Sequence, residues 1–168
     1  MKKWREWIKP VGALLLVCGV MGCLMAVTQA LTKPIIEARA EDETDYKKEL
    51  FPGAVFESID MEGAKEAYRT SEGDWAFLME AKGYNKSQPV ELLIGIRADG
   101  SIAGIRVLVQ AETEGIGARV LEDSHLQQYD GLQDIRNIDG ISGATVTSKA
   151  VQNAIQAALE LSQQAEGA

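Results

Sequence analysis

Hydrophobic positions follow three patterns along this chain: an unbroken run, an alternation by two, and a recurrence every three or four residues. The unbroken run comes first. Residues Pro10 to Thr32 carry no charge over 23 positions, and their centre reads VGALLLVCGVMGCLMAV. A helix rising ~1.5 Å per residue needs about 20 such residues to cross ~30 Å of hydrocarbon, so this stretch suffices with some tilt. Lys2, Lys3, Arg5 and Lys9 precede it against a single Glu6, and Trp4 and Trp7 fit an aromatic belt at the interface. The positive-inside rule then puts the first residues in the cytoplasm and everything after Lys33 across the membrane. Two other readings stay open. Val20-Met21-Gly22-Cys23 loosely resembles a lipoprotein cleavage box, although nine more uncharged residues follow Cys23. A cleavable signal usually has an apolar core of roughly 7–15 residues and a small-residue cleavage site; here the run is longer and no clear A-x-A site follows.

Lys33-Pro34 is expected to break the membrane helix. Ile35 to Leu50 then reads as a charge-rich juxtamembrane helix, ended by the breakers in Phe51-Pro52-Gly53. Between Phe56 and Ser71 the signal is weak. Trp75 to Glu80 predicts a strand, closed near Gly83. Val90 to Arg97 and Ile102 to Val109 predict two more, joined by Ala98-Asp99-Gly100-Ser101, with Leu92, Ile94 and Ile96 on one face. Asp-Gly between such runs signals a hairpin, because both turn residues can take positive φ. After Gly143, the residues Val151, Ala154, Ile155, Ala158, Leu159 and Ser162 recur at helical spacing, with Gln152, Asn153, Gln156 and Glu160 opposite. Strands followed by a helix, without regular βαβ alternation, predict an α+β domain with a mainly antiparallel sheet and flanking helices behind one N-terminal transmembrane helix. The organisation expected is a cytoplasmic segment 1–9, a membrane helix 10–32, a juxtamembrane segment 33–50 and an extracytoplasmic domain 51–168.

Charge narrows the partners. The chain carries 17 basic and 25 acidic side chains, a formal charge of −8. Beyond residue 32 the balance is 13 against 24, or −11. Such a domain is repelled by anionic headgroups and by nucleic acid, so no nucleic-acid partner is expected. The two cysteines, Cys18 and Cys23, both lie in the apolar run. The part after it therefore has no disulfide, no Cys-ligated zinc and no iron–sulfur cluster. A single His125 leaves no histidine-rich metal site, and no metal is expected. Hydroxyls, carboxylates, backbone amides or an organic cofactor must carry the chemistry.

The densest candidate is Asp139-Gly140-Ile141-Ser142-Gly143-Ala144-Thr145-Val146-Thr147-Ser148, with four hydroxyls, two glycines and an acid directly before a helix. Free amides and the helix dipole at such a start favour an anion, and glycines let the backbone approach a phosphate. Equally, Ser142, Thr145 or Thr147 serves only as a helix cap. A second glycine-rich stretch is Glu112-Thr113-Glu114-Gly115-Ile116-Gly117. It lacks the third glycine of a dinucleotide fingerprint and opens no evident helix.

The first stretch resembles the flavinylation motif of the FMN-binding domain family, in which Asp and Gly are followed by Ser-Gly-Ala-Thr. Asp139, Gly140, Ser142, Gly143, Ala144 and Thr145 supply it in order. In that family the last threonine carries FMN through a phosphoester made by a dedicated flavin transferase. By position this residue is Thr145, with Thr147 as runner-up. The second stretch resembles the family's Glu-Thr-Pro-Gly-Leu-Gly loop, which lies against the flavin. The resemblance thus implies Glu112, Thr113, Gly115, Ile116 and Gly117 as further cofactor-binding residues, with Glu112 and Thr113 hydrogen-bonding the flavin. Glu114 stands where proline is usual, and Gln110 where a histidine is frequent.

The anchor, the Leu-Thr-Lys-Pro exit, Phe-Pro-Gly-Ala at 51–54, the hairpin and both motifs together resemble the G-subunit family of Rnf-type complexes. That resemblance implies one covalent FMN per chain and no catalytic residue of its own. It implies a redox subunit in the membrane of a bacterial cell, assembled with other membrane subunits that couple ferredoxin/NAD electron transfer to ion translocation. The alternatives are a stand-alone FMN carrier, a C-type subunit of a sodium-pumping NADH–quinone reductase, and a cofactor-free tethered interaction module.

Overall fold

In a computed structural model the chain forms two compact units, Met1–Glu41 and Asp42–Ala168. The structure describes residues 2–85, 87–110, 112 and 116–166, with the side chains of 2–13 and 34–44 left aside. The first helix, α1, spans Lys2–Leu50. Its segment Leu14–Lys33 is long and apolar enough to cross a membrane and is unburied throughout. Contrary to expectation, the helix does not end at Lys33-Pro34. A proline inside a helix removes one N–H donor and crowds the preceding turn, which weakens the helix there without having to stop it. The stop comes at Phe51-Pro52-Gly53, where Gly53 takes φ +81° and the Phe51 N–H still reaches the Lys47 carbonyl at 3.0 Å.

The second unit is built on five antiparallel strands in sequence order: β1 Phe56–Ile59, β2 Glu66–Thr70, β3 Trp75–Ala81, β4 Val90–Ile96 and β5 Ile102–Val109. β3 and β4 are the most apolar and occupy the interior of the sheet, with Trp75 facing Ile96 and Phe77 facing Ile94. The β4–β5 hairpin forms as expected, and one of the two turn residues uses positive φ. Gly100 alone takes positive φ, at +79°, and the Gly100 N–H closes on the Arg97 carbonyl at 2.8 Å. This is the three-residue loop in which a type I turn is followed by one left-handed glycine, so Asp99 stays at negative φ and its carboxylate accepts the Ser101 N–H at 2.8 Å.

After β5 come a 3₁₀ turn, Ala118–Leu121, a short helix α2, Asp123–Leu126, and a second 3₁₀ turn, Gln127–Tyr129. The glycine-rich stretch thus does open a turn of helix. The chain closes with α3, Thr145–Glu166. All six residues of its expected apolar face are buried, and the five apolar ones share a core with Leu92, Ile94 and Ile96 of β4 and with Trp75, Phe77 and Met79 of β3. The opposite sheet face is covered by the end of α1. Leu50 and Phe51 sit there with Ala76 and Leu93, over the paired glycines Gly95 and Gly104. Lys47 lies over the Tyr68 ring at 3.6 Å, and Glu49 pairs with Arg106 at 2.7 Å. Burial thus fixes α3 on one face and residues 46–51 on the other, and the loops at one end of the sheet are held between rigid elements.

Candidate functional site

Glu112, just past β5, is buried at 9% exposure. Its Oε2 accepts the Thr147 hydroxyl at 3.0 Å, and its Oε1 accepts the Asn85 N–H at 3.3 Å. A buried carboxylate is costly unless its oxygens find donors, and these two come from different segments. One carboxylate therefore ties the loop after β3, the loop after β5 and the first turn of α3. Two glycines make room for it. A Cβ on Gly117 would lie 2.7 Å from Oε2, and a Cβ on Gly83 would collide with Oε1. Both Glu112 oxygens accept a hydrogen bond from the protein itself, and the residue also lines the cleft described below.

The hydroxyl-rich loop is fixed from the other side. Gly143 takes φ +86°, a conformation other residues rarely adopt. Gly140 lies so close to Ser148 that a Cβ would come within 2.9 Å of the serine Cβ. The Ser148 hydroxyl accepts the Ile141 N–H at 3.1 Å, and Gln152 Nε2 donates to the Ile138 carbonyl at 2.8 Å. Ala144 starts the helix, its carbonyl taking the Ser148 N–H at 2.9 Å. The Thr147 and Ser148 hydroxyls are engaged outside the helix, so neither caps it.

Between these anchored segments lies a cleft of about 320 Å³, lined by Tyr84, Glu112, Ile116, Gly117 and the run Gly143, Ala144, Thr145, Val146 and Thr147. Its volume falls at the lower end of the ~300–1,000 Å³ usual for small-molecule sites. Thr147 is 2% exposed and belongs to the floor, whereas Thr145 is exposed. Tyr84, Ile116 and Val146 are 72%, 58% and 53% exposed, apolar groups held at the opening instead of in the core. The amides of the first helical turn have no carbonyl partner within the helix. The arrangement suits a planar, largely apolar group against Tyr84, Ile116 and Val146, with an anionic end at the start of α3.

The structure brings together Glu112, Ile116, Gly117, Gly143, Ala144, Thr145 and Thr147 of the expected site. Asp139 and Ser142 are exposed on the loop and do not line the cleft. Thr113 and Gly115 lie outside the described residues. Tyr84 and Val146 line the cleft although no sequence motif marks them. A tyrosine directly after Gly83, outside any strand and flanked by polar residues, is the signal that points to the first. Val146 is hidden by its place between two more conspicuous threonines. Among the described residues no cluster of His, Cys, Asp and Glu fits a metal ion.

Residues 83–160 match the FMN-binding domain family, a span that holds every residue of the cleft. The chain is 27% identical over 164 residues to the G subunit of a proton-translocating ferredoxin:NAD(+) oxidoreductase complex of Clostridium ljungdahlii, covering 88% of this chain and 86% of that protein. It is 26% identical to the G subunit of an ion-translocating oxidoreductase complex of Methanosarcina acetivorans, over 99% of this chain and 100% of that protein. It is 27% identical to the G subunit of a Na(+)-translocating ferredoxin:NAD(+) oxidoreductase complex of Acetobacterium woodii, over 95% and 93% respectively. The similarity to these G subunits therefore extends over nearly the whole chain, while the match to the FMN-binding domain family is confined to residues 83–160.

Proposed function

We propose that this chain is a membrane-anchored electron-transfer subunit of an Rnf-type complex, carrying one FMN bound covalently through its phosphate to Thr145. The observation that carries the reading is the placement of two hydroxyls on one cleft. Thr145 is exposed at the first turn of α3, while Thr147 is buried and its hydroxyl is donated to Glu112. Only the first is available to a modifying enzyme.

The residues present fit the group. The amides of Thr145, Val146 and Thr147 have no carbonyl partner within the helix and would hold a phosphate, whose charge the helix dipole favours. Tyr84, Ile116 and Val146 offer apolar surface for the ring system. Gly143 is exposed at φ +86° and leaves the backbone accessible there, while Gly117 makes room for the Glu112 carboxylate. When bound, FMN supplies one- and two-electron redox chemistry, and the protein supplies position and electrostatics. A phosphoester keeps the cofactor in place while leaving the ring free to cycle. The flavin transferase and the neighbouring membrane subunits are the expected partners, with the amino terminus cytoplasmic and the domain extracytoplasmic, following the charge asymmetry around the apolar helix.

The test is a denaturing gel of the full chain co-produced with a flavin transferase. A fluorescent band at the chain's mass is expected, with a mass increase of one FMN, and Thr145→Ala abolishes both. Loss of the band in Thr147→Val but not in Thr145→Ala moves the site by two residues. A colourless band in every case leaves a tethered module without cofactor. Purification from native membranes separates a complex subunit, which brings other membrane proteins with it, from a lone carrier.

A further inference from the structure

Three cleft segments converge on the carboxylate of Glu112, and its two hydrogen-bond donors among the described residues are both uncharged. We infer that Glu112 is the positioning residue that presents Thr145 for flavin attachment, by holding the Thr147 hydroxyl inward. The inference rests on the flavin-carrier reading above and goes beyond it, since it assigns Glu112 to the protein's own framework and not to contact with the cofactor.

The geometry is that of a helix. Residues advance by about 100° each, so Thr145 and Thr147 point about 200° apart. Fixing Thr147 Oγ1 at 3.0 Å from Glu112 Oε2 turns Thr145 away from the core and towards solvent. The first turn of a helix is also its least secure part, because its amides lack internal partners and it frays readily. Glu112 counters this by anchoring the third residue of α3 to a buried group 35 positions earlier in the chain. The same carboxylate accepts the Asn85 N–H and so holds the segment that carries Tyr84. The niche is specific to it, since Gly83 and Gly117 both leave space that the carboxylate fills.

Attachment forms a bond from Thr145 Oγ to the FMN phosphorus of a pyrophosphate donor, FAD. The pyrophosphate P–O bond breaks, its electron pair leaves on AMP, and the hydroxyl proton passes to a base of the transferase. The rate depends on the fraction of molecules that present Thr145 in the required orientation. Removing Glu112 leaves a buried hydroxyl and an amide without an acceptor, and that fraction falls.

The experiment uses the full chain in detergent, made without a flavin transferase, then incubated with the purified enzyme and FAD. Initial rates are measured, the attachment site is mapped by peptide mass spectrometry, and amide exchange is followed on the unmodified protein. Glu112→Ala and Thr147→Val are each expected to slow attachment about tenfold, the effect of losing one buried charge-assisted hydrogen bond. The double variant is expected to be no slower than the slower single one, because both remove the same contact. Thr147→Ser, which keeps the hydroxyl, restores the rate. Amides of residues 83–85 and 145–148 exchange faster in the first two variants and not in the third. Attachment at the wild-type rate in Glu112→Ala and Thr147→Val overturns the inference. So does strict additivity of the two. Should Glu112→Ala fail to melt cooperatively, Thr147→Val and Glu112→Gln, which leaves one acceptor oxygen for two donors, decide the matter. An unmodified wild type overturns the flavin reading and the inference with it, and the exchange data then assign Glu112 to folding alone.

Discussion

The ring of Phe51 rests on the backbone of Gly95: a Cβ placed on that glycine would come within 3.0 Å of Phe51 Cε2 and 3.2 Å of Cζ. Neighbouring Leu50 meets Gly104 in the same way, its Cδ2 lying 2.8 Å from where a Cβ would be. These paired glycines make a shallow trough across β4 and β5 that receives the end of α1. Gly95→Ala is expected to destabilise the protein by about 1–3 kcal/mol through overpacking. Denaturant melts of the full chain in detergent measure it, and an unchanged midpoint would mean that Phe51 is not seated there.

Gly143 is the strained position of the hydroxyl-rich loop, at φ +86°. Gly143→Ala is expected to cost about 1–2 kcal/mol of stability and to reduce flavin attachment. Gly100→Ala is the control, with φ +79° and open space around it at the far hairpin. It should cost comparable stability and leave the fluorescent band unchanged. Equal loss of attachment in both variants would indicate that only global stability matters.

His125 titrates below its ordinary value because burial disfavours its charged form. It sits edge-on to the Tyr129 ring, with centroids 6.1 Å apart. The unfolded chain therefore binds a proton at this position more readily than the folded one. Stability is expected to rise as pH rises towards the unfolded value of about 6.5, and to be lost as pH falls below it. Melts between about pH 5 and 7 should show that slope, and His125→Gln should flatten it.

Glu49 and Arg106 form a two-pronged pair, with Arg106 Nη2 at 2.7 Å from Oε1 and Nε at 3.3 Å from Oε2. The hydrogen bond from Arg106 holds the Glu49 carboxyl below the usual carboxylate range. Its contribution is present above that range and fades as pH falls through the lowered value. Because Glu49 is exposed, the effect is small and screened. Glu49→Gln should lower the melting temperature slightly at low salt and make no difference in about 1 M sodium chloride.

The sequence reveals those parts of the molecule whose signals are contiguous. The face of α3 from Val151 to Ser162 is legible because helical spacing and burial coincide at all six positions. The β4–β5 hairpin is legible from Asp99-Gly100, though not its turn type, which depends on whether one or both residues adopt positive φ. β1 and β2 are not legible. Ser58 and Ile59 or Ala67 and Thr70 carry too little apolar pattern, and these strands form by pairing outward in turn, β2 on the edge of β3 and β1 on the edge of β2. The hydroxyl motif at 139–148 can be read directly. The Glu112–Thr147 tie and the approach of Tyr84 cannot, because only the folded sheet joins segments that far apart.

α3 follows every strand in the chain and lies on β3 and β4, so Thr145 meets Tyr84 and Glu112 only after the whole sheet has formed and the helix has folded back over it. On the proposed flavin-carrier reading, a half-made or broken polypeptide would not present Thr145 to a transferase. Yellow colour would then certify finished molecules alone, and a cell would commit scarce flavin only to carriers ready for service.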